Sequence, residues 1–72
     1  MKISKIQAME IIEERINQVA QATNTKELAQ FENFAHGSEV TMWELGILTQ
    51  AEHAVNYDSI VSAVEKRMEE IK

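Results

Sequence analysis

No proline interrupts this chain of 72 residues, and its only glycines are Gly37 and Gly46. Proline and glycine are the strongest local breaks in regular structure, so capping side chains and hydrophobic periodicity must mark where each element begins and ends. Apolar residues recur at three- and four-residue steps, as in Ile12, Ile16 and Val19, and no strand-like alternation occurs. The sequence therefore predicts an all-α fold.

Capping patterns divide the chain into four predicted helices. Ser4 is a candidate N-cap for the first helix, and Asn24 with Glu27 three residues later fits a capping box for the second. We place the helices at about residues 4–22, 25–36, 39–55 and 58–71. Together they predict one domain, a small bundle of three to four helices that dimerisation would help to complete.

The boundary between the second and third predicted helices lies in the stretch from Phe34 to Gly46. Gly37 follows the last periodic apolar residue, where a left-handed residue would favour glycine. Thr41 and Glu44 then match the hydroxyl-x-x-Glu pattern of a helix start. In this interpretation Gly46 lies inside the third helix, where it indicates a bend or a close helix approach.

The boundary at Asn56 and Asp58 has weaker support. Without it, the last two helices would form one rod of about thirty residues, some 45 Å long. The final segment repeats apolar residues at a/d spacing, which predicts the core side of the last helix, and these residues are Tyr57, Val61, Val64, Met68 and Ile71.

The composition excludes several kinds of chemistry. Because the chain has no cysteine, it can form no disulfide, thiolate zinc site or iron–sulfur cluster. It has no Gly-x-Ser-x-Gly motif and no glycine-rich phosphate loop. So small a bundle rarely encloses a substrate pocket. We therefore expect no enzymatic activity, no cofactor and no small-molecule substrate.

Both histidines are candidate metal ligands. Glu32 and His36 share a helix face and Glu39 follows them, but no zinc-binding spacing such as His-Glu-x-x-His is present. We expect His36 to be a helix-end histidine beside a carboxylate, and no metal. His53 has no strong orienting residue at helical spacing, so we expect it at the surface or at the rim of the core.

Charge is distributed unevenly along the chain. The net charge is −5, and the stretch from Glu27 to Glu65 holds seven acidic residues with no lysine or arginine. This stretch would repel nucleic-acid phosphates and suit a cationic partner. Glu10, Glu13 and Glu14 interrupt the apolar run that a secretory leader needs, and no window reaches membrane-span length. We expect a cytoplasmic protein.

These observations favour a non-enzymatic protein–protein interaction or regulatory module. We expect the third predicted helix to carry the interface through Trp43, Leu45, Ile47 and Leu48, with Glu39, Glu44 and Glu52 selecting a partner of opposite charge. The partner would be a distinct protein, a second copy in a homodimer, or both. One alternative is an acidic antagonist that occupies a partner's basic nucleic-acid-binding surface. A helix-turn-helix DNA-binding regulator is the other, and the charge disfavours it.

Overall fold

Three α-helices build the fold, which the computed structural model describes from residue 3 to residue 71. They are α1 (Lys5–Ala20), α2 (Thr25–Glu44) and α3 (Gln50–Glu70), and each packs against the other two. The prediction of an all-α bundle of three to four helices is confirmed, and the structure has three, although four helix ranges were predicted. Within residues 3–71 no helix is long and apolar enough to cross a membrane.

The first two predicted helix starts are confirmed. The Ser4 hydroxyl accepts a hydrogen bond from the backbone N–H of Gln7 at 3.1 Å, and the Gln7 side chain accepts one from the backbone N–H of Ser4. The Asn24 side chain accepts a hydrogen bond from the Glu27 backbone N–H at 2.8 Å. These side chains satisfy backbone donors that have no partner inside the helix.

The predicted break at Gly37 is wrong, because α2 continues through Gly37 to Glu44. The buried residues of α2 give the reason. Leu28, Ala35, Glu39 and Met42 lie on one side of a continuous helix, at steps of seven, four and three. A helix that stopped at His36 would turn the last two away from that side.

The α2–α3 connection lies instead inside the predicted helix 39–55. Gly46 has a φ of +78°, a left-handed conformation that suits glycine. The N–H of Gly46 bonds to the carbonyl of Trp43 at 2.9 Å and that of Ile47 to the carbonyl of Met42 at 3.0 Å, which is the Schellman pattern. Gly46 therefore ends α2, and it is not a bend within a helix.

A capping box at Thr49 starts α3. The Thr49 hydroxyl accepts from the Glu52 backbone N–H at 3.1 Å, and the Glu52 carboxylate accepts from the Thr49 backbone N–H at 2.9 Å. Thr49 and Glu52 have the same spacing as Thr41 and Glu44, so the motif was visible in the sequence. The prediction used the copy at Thr41, whereas α3 begins after the copy at Thr49.

The predicted break at Asn56 is also wrong, since α3 runs without interruption from Gln50 to Glu70. Asn56 is buried and donates a hydrogen bond to the sulfur of Met9. Near the other end, the Arg67 side chain donates to the carbonyl of Ala22 at 2.7 Å and ties α3 to the α1–α2 turn. Ile60 is fully buried, whereas Tyr57 of the predicted a/d seam is 45 % exposed.

Two small hydrophobic clusters form the core. The first contains Val19, Ala22, Leu28, Ala35 and Ile60. The second contains Ala8, Ile12, Met42 and Leu48. Along α2, the buried Glu39 falls between Ala35 of the first cluster and Met42 of the second. A charged residue therefore occupies a core position of the central stretch of α2.

Candidate interaction surface

Two of the predicted interface residues lie inside the molecule. Glu39 has no exposed surface, and Leu48 is only 3 % exposed and packs in the second core cluster. The turn at Gly46 returns the chain toward the core, which is why Leu48 points inward. Both are buried by their own chain, so their prediction as partner-contacting residues is wrong.

The other predicted interface residues reach the surface to different degrees. Leu45 is 68 % exposed, and Glu44 is exposed and forms no ion pair within residues 3–71. Trp43 and Ile47 are half-buried against the second core cluster. Of this predicted group, Leu45 offers the most open apolar surface.

Glu52 is already engaged within the chain. Its carboxylate accepts the Thr49 backbone hydrogen bond and lies 2.9 Å from the Lys5 ammonium. The backbone N–H of Thr49 and, after it, the Lys5 ammonium hold the pKa of Glu52 below its usual value, because both favour the charged carboxylate. The Glu52 carboxylate therefore already joins α1 to α3. Of the three acids predicted to select a partner, Glu44 is the one without an ion pair within residues 3–71.

The α2–α3 edge is closed by an imidazole cluster, which comprises His36, Glu39, Trp43, His53 and Tyr57. Nδ1 of His53 lies 2.6 Å from Oε2 of Glu39. The His53 ring stacks on Trp43 with ring centroids 4.1 Å apart and an interplanar angle of 3°, and Tyr57 meets His53 edge-on. His36 packs beside Tyr57 at 4.8 Å. The cluster thus joins the two helices through one hydrogen bond and several ring contacts.

His53 is therefore oriented by Glu39, so the prediction that it lacks a strong orienting partner is wrong, while its half-buried position is that of a rim residue. Glu39 and His53 lie fourteen residues apart on different helices, so a search at helical spacing misses the pair. The detectable signal was the position of Glu39 between Ala35 and Met42, four residues after one and three before the other. That signal appears only when α2 is continuous.

The remaining acid–histidine contact does not extend into a metal site. Nε2 of His36 lies 3.8 Å from the Glu32 carboxylate, one turn earlier on α2. Glu39 faces His53 instead of joining them. Within residues 3–71 no group of three or more acidic and histidine side chains is placed to hold a metal ion.

An open groove runs along the opposite edge of α2, beside the N-terminal end of α1. It has a volume of about 410 Å³, and none of its lining side chains is charged. We call it the α2 groove, and its principal residues are Ile3, Phe34, Gly37, Ser38, Thr41 and Leu45. Phe34 is 55 % exposed and Leu45 is 68 % exposed. These two large apolar side chains flank the small, uncharged residues Gly37, Ser38 and Thr41. Phe34 was not among the predicted interface residues, so the sequence analysis missed this surface.

Gly37 forms part of the groove wall within a regular helical stretch. A Cβ placed on Gly37 would meet nothing within 4 Å, so no contact inside the chain requires glycine there. Glycine in a helix interior destabilises it by about 1 kcal/mol relative to alanine. Gly37 therefore lowers the stability of α2, and because it has no side chain it leaves space open in the groove.

A smaller cleft lies between α1 and α3. It has a volume of about 220 Å³ and is lined by Met9, Ala51, Glu52, Val55 and Asn56. Val55 is 65 % exposed, but the Lys5–Glu52 ion pair lies at this edge. Docking here would desolvate a charged pair, which makes this cleft less suited to an apolar partner than the α2 groove.

No known protein family, curated protein or solved structure matches this chain.

Proposed function

We propose that the protein is a non-enzymatic, cytoplasmic protein–protein interaction module whose binding surface is the α2 groove. The exposure of Phe34 and Leu45 on a concave surface without charged side chains carries this proposal. Contiguous apolar surface on a folded chain marks interaction sites, and aromatic residues often anchor them. Covering these two side chains removes their apolar atoms from water, which favours association.

Leu45 belongs to both the predicted interface and the proposed one. Phe34 takes the place of Trp43 as the aromatic anchor. Trp43 is stacked on His53 and half-buried, so most of its apolar surface already has an intramolecular partner. Phe34 is more than half exposed. A partner therefore gains more contact area from Phe34.

The alternative function, an acidic antagonist of a basic surface, has weaker support. It needs a concentration of free carboxylates near the contact surface. Of the three acids predicted to select a cationic partner, Glu39 is buried against His53 and Glu52 is paired with Lys5. A partner bound through the apolar groove would stay bound at high salt. The affinity of a partner bound through acidic side chains would fall steeply as the salt concentration rises.

A photo-crosslinking residue at position 45 would test the proposed function directly. We would introduce benzoylphenylalanine in place of Leu45, irradiate the protein in its native cells, and identify covalent protein adducts by mass spectrometry. The matched control places the same residue at Ser62, which is exposed on α3 and does not line the groove. We expect specific protein adducts from position 45 and few from position 62. Equal yields at both positions, or none at position 45, would contradict the proposal.

A further inference from the structure

We propose that the occupant of the α2 groove is a second copy of this chain, docked as an antiparallel pair of α2 helices. In this arrangement Phe34 of each copy packs against Leu45 of the other. The inference deepens the proposed function and rests on it, because it names the partner of the same surface.

The spacing of the groove residues is symmetric along α2. Phe34, Ser38, Thr41 and Leu45 follow one another at steps of four, three and four, so they lie on one side of the helix. The order is large, small, small, large, and the pattern reads the same from either end. A two-fold dimer requires a self-complementary surface of this kind, in which residue i meets j and j meets i.

The small residues at the centre allow two α2 helices to approach closely. Gly37 presents no side chain, and open space surrounds the position of its missing Cβ. Phe34 and Leu45 are eleven residues apart, about 16 Å along the helix axis. Each copy would therefore place its two large side chains at the ends of the contact and its small ones at the crossing point.

Charge favours a second copy over a cationic partner at this groove. The chain carries a net charge of −5, so two copies repel each other wherever their charged residues meet. The lining of the groove is uncharged, and docking there desolvates no ion pair. In the antiparallel register Glu44 of one copy is level with residues 33–37 of the other, a stretch that contains no acid. A cationic partner would instead need several free acids around the groove.

The size of the groove predicts a modest affinity. Stable interfaces bury about 800 Å² on each partner, roughly one sixth of the 4978 Å² that this chain exposes. Within residues 3–71, eight residues line the groove, fewer than the roughly 20–30 residues that each partner contributes to such an interface. We therefore expect a dimer that dissociates at about micromolar concentration.

Sedimentation equilibrium over about 1 to 500 micromolar protein would test the dimer, with Gly37→Lys as the decisive variant. Lysine favours helix more than glycine does, so the fold should persist, while its side chain would fill the groove. We expect dimerisation to weaken at least about tenfold. Ser62→Lys makes the same charge change on the exposed side of α3 and should dimerise as the wild type does. A dimer that tolerates Gly37→Lys would overturn the inference.

Cysteine pairs would test the antiparallel register, because the natural chain has no cysteine to interfere. A mixture of Phe34→Cys and Leu45→Cys chains should form a mixed disulfide under mild oxidation, since these positions would lie within bonding distance. Phe34→Cys alone should cross-link poorly, with its two copies of position 34 held far apart. Preferential cross-linking of Phe34→Cys with itself would overturn the antiparallel arrangement.

The outcomes separate this inference from the proposed function. A wild-type chain that stays monomeric while position 45 cross-links to a different protein overturns the dimer and leaves the interaction module standing. A monomeric chain without protein adducts at position 45 overturns both. A concentration-dependent dimer that Gly37→Lys abolishes, with position-45 adducts to the same chain, supports both.

Discussion

The two edges of α2 differ in how their side chains are satisfied. Toward α3, Oε2 of Glu39 is paired with Nδ1 of His53 and the His53 ring is covered by Trp43, while Oε1 of Glu39 is buried without a hydrogen-bond partner within residues 3–71. Toward the N-terminal end of α1, Phe34 and Leu45 leave apolar surface open to water. One edge of α2 is therefore packed within the chain around a buried acid, while the other leaves its apolar side chains without a partner in the part of the chain that the structure describes.

The closed edge has a strict geometric requirement that the open edge lacks. A carboxylate without exposed surface is costly unless a hydrogen-bonding partner accompanies it. Because Glu39 and His53 lie on different helices, their 2.6 Å contact specifies how α2 and α3 align. Apolar contacts are less directional and would tolerate small shifts. The groove can therefore accept a partner without disturbing the pair.

The largest expected effect comes from breaking the closed edge with His53→Ala. Removing the imidazole leaves the Glu39 carboxylate buried and unpaired, which should lower the free energy of unfolding by about 3 kcal/mol. Urea denaturation followed by circular dichroism would measure it. Replacing both partners, Glu39→Leu with His53→Leu, should recover much of the loss because no polar group remains unpaired.

His36→Ala is the matched control for that experiment. His36 contacts a partly exposed Glu32 at 3.8 Å, so its removal should cost less than about 1 kcal/mol. Equal losses from His53→Ala and His36→Ala would show that the buried carboxylate does not distinguish the closed edge.

An intermediate effect should come from the two glycines, with opposite signs. Gly46→Ala forces a side chain into a left-handed conformation and should cost about 1 kcal/mol. Gly37→Ala improves a helical position that has open space around it and should stabilise by about 1 kcal/mol. At dilute concentration, where the chain is monomeric, the midpoint of thermal unfolding should shift by about 5 °C in each direction. Shifts of the same sign would contradict the assignment of Gly46 as the helix end.

The smallest expected effect comes from the α1–α3 contact, where Lys5 pairs with Glu52. The pKa of Glu52 is lower in the folded chain than its usual value, so the unfolded chain binds the proton more tightly. The stabilisation is present above the usual carboxyl pKa and is lost as the pH falls through the lowered one. Glu52→Gln should therefore flatten the decline in stability on acidification, as urea titrations from pH 6 to pH 3 would record.

Lys5→Gln separates the two causes of that pKa shift. It removes the ammonium and keeps the Thr49 backbone hydrogen bond, which is the larger cause. Its acid decline should therefore stay closer to that of the wild type than to that of Glu52→Gln. The opposite order would show that the ion pair, and not the helix cap, dominates this edge.

Local signals in the sequence predicted part of the fold correctly. The all-helical class follows from periodicity, and the caps at Ser4 and Asn24 follow from side chains that bond to nearby backbone groups. Ile12 and Val19, which the periodicity places on one apolar helix face, are buried. These features depend on residues within one or two turns of each other, so a sequence shows them directly.

The candidate site was harder to predict, because its geometry joins distant residues. The exposure of Phe34 depends on which neighbours cover it, and the Glu39–His53 contact depends on how α2 and α3 align. Leu45 of the predicted interface is exposed, but the predicted helix 39–55 that would carry it is interrupted by the turn at Gly46. Its actual neighbours in the groove come from the continuous α2 and from Ile3.

Periodicity, capping side chains and composition are enough to establish that the chain is helical, where the first two helices begin, and which chemistry is excluded. The same sequence contains two equivalent sites for the second turn, a glycine followed within a few residues by Thr-x-x-Glu, at Gly37 and at Gly46. Contacts between the helices select Gly46. Continuing α2 to Glu44 places Met42 on the same buried side as Ala35 and brings Glu39 to His53, and these contacts outweigh the local preference of Gly37 to end a helix.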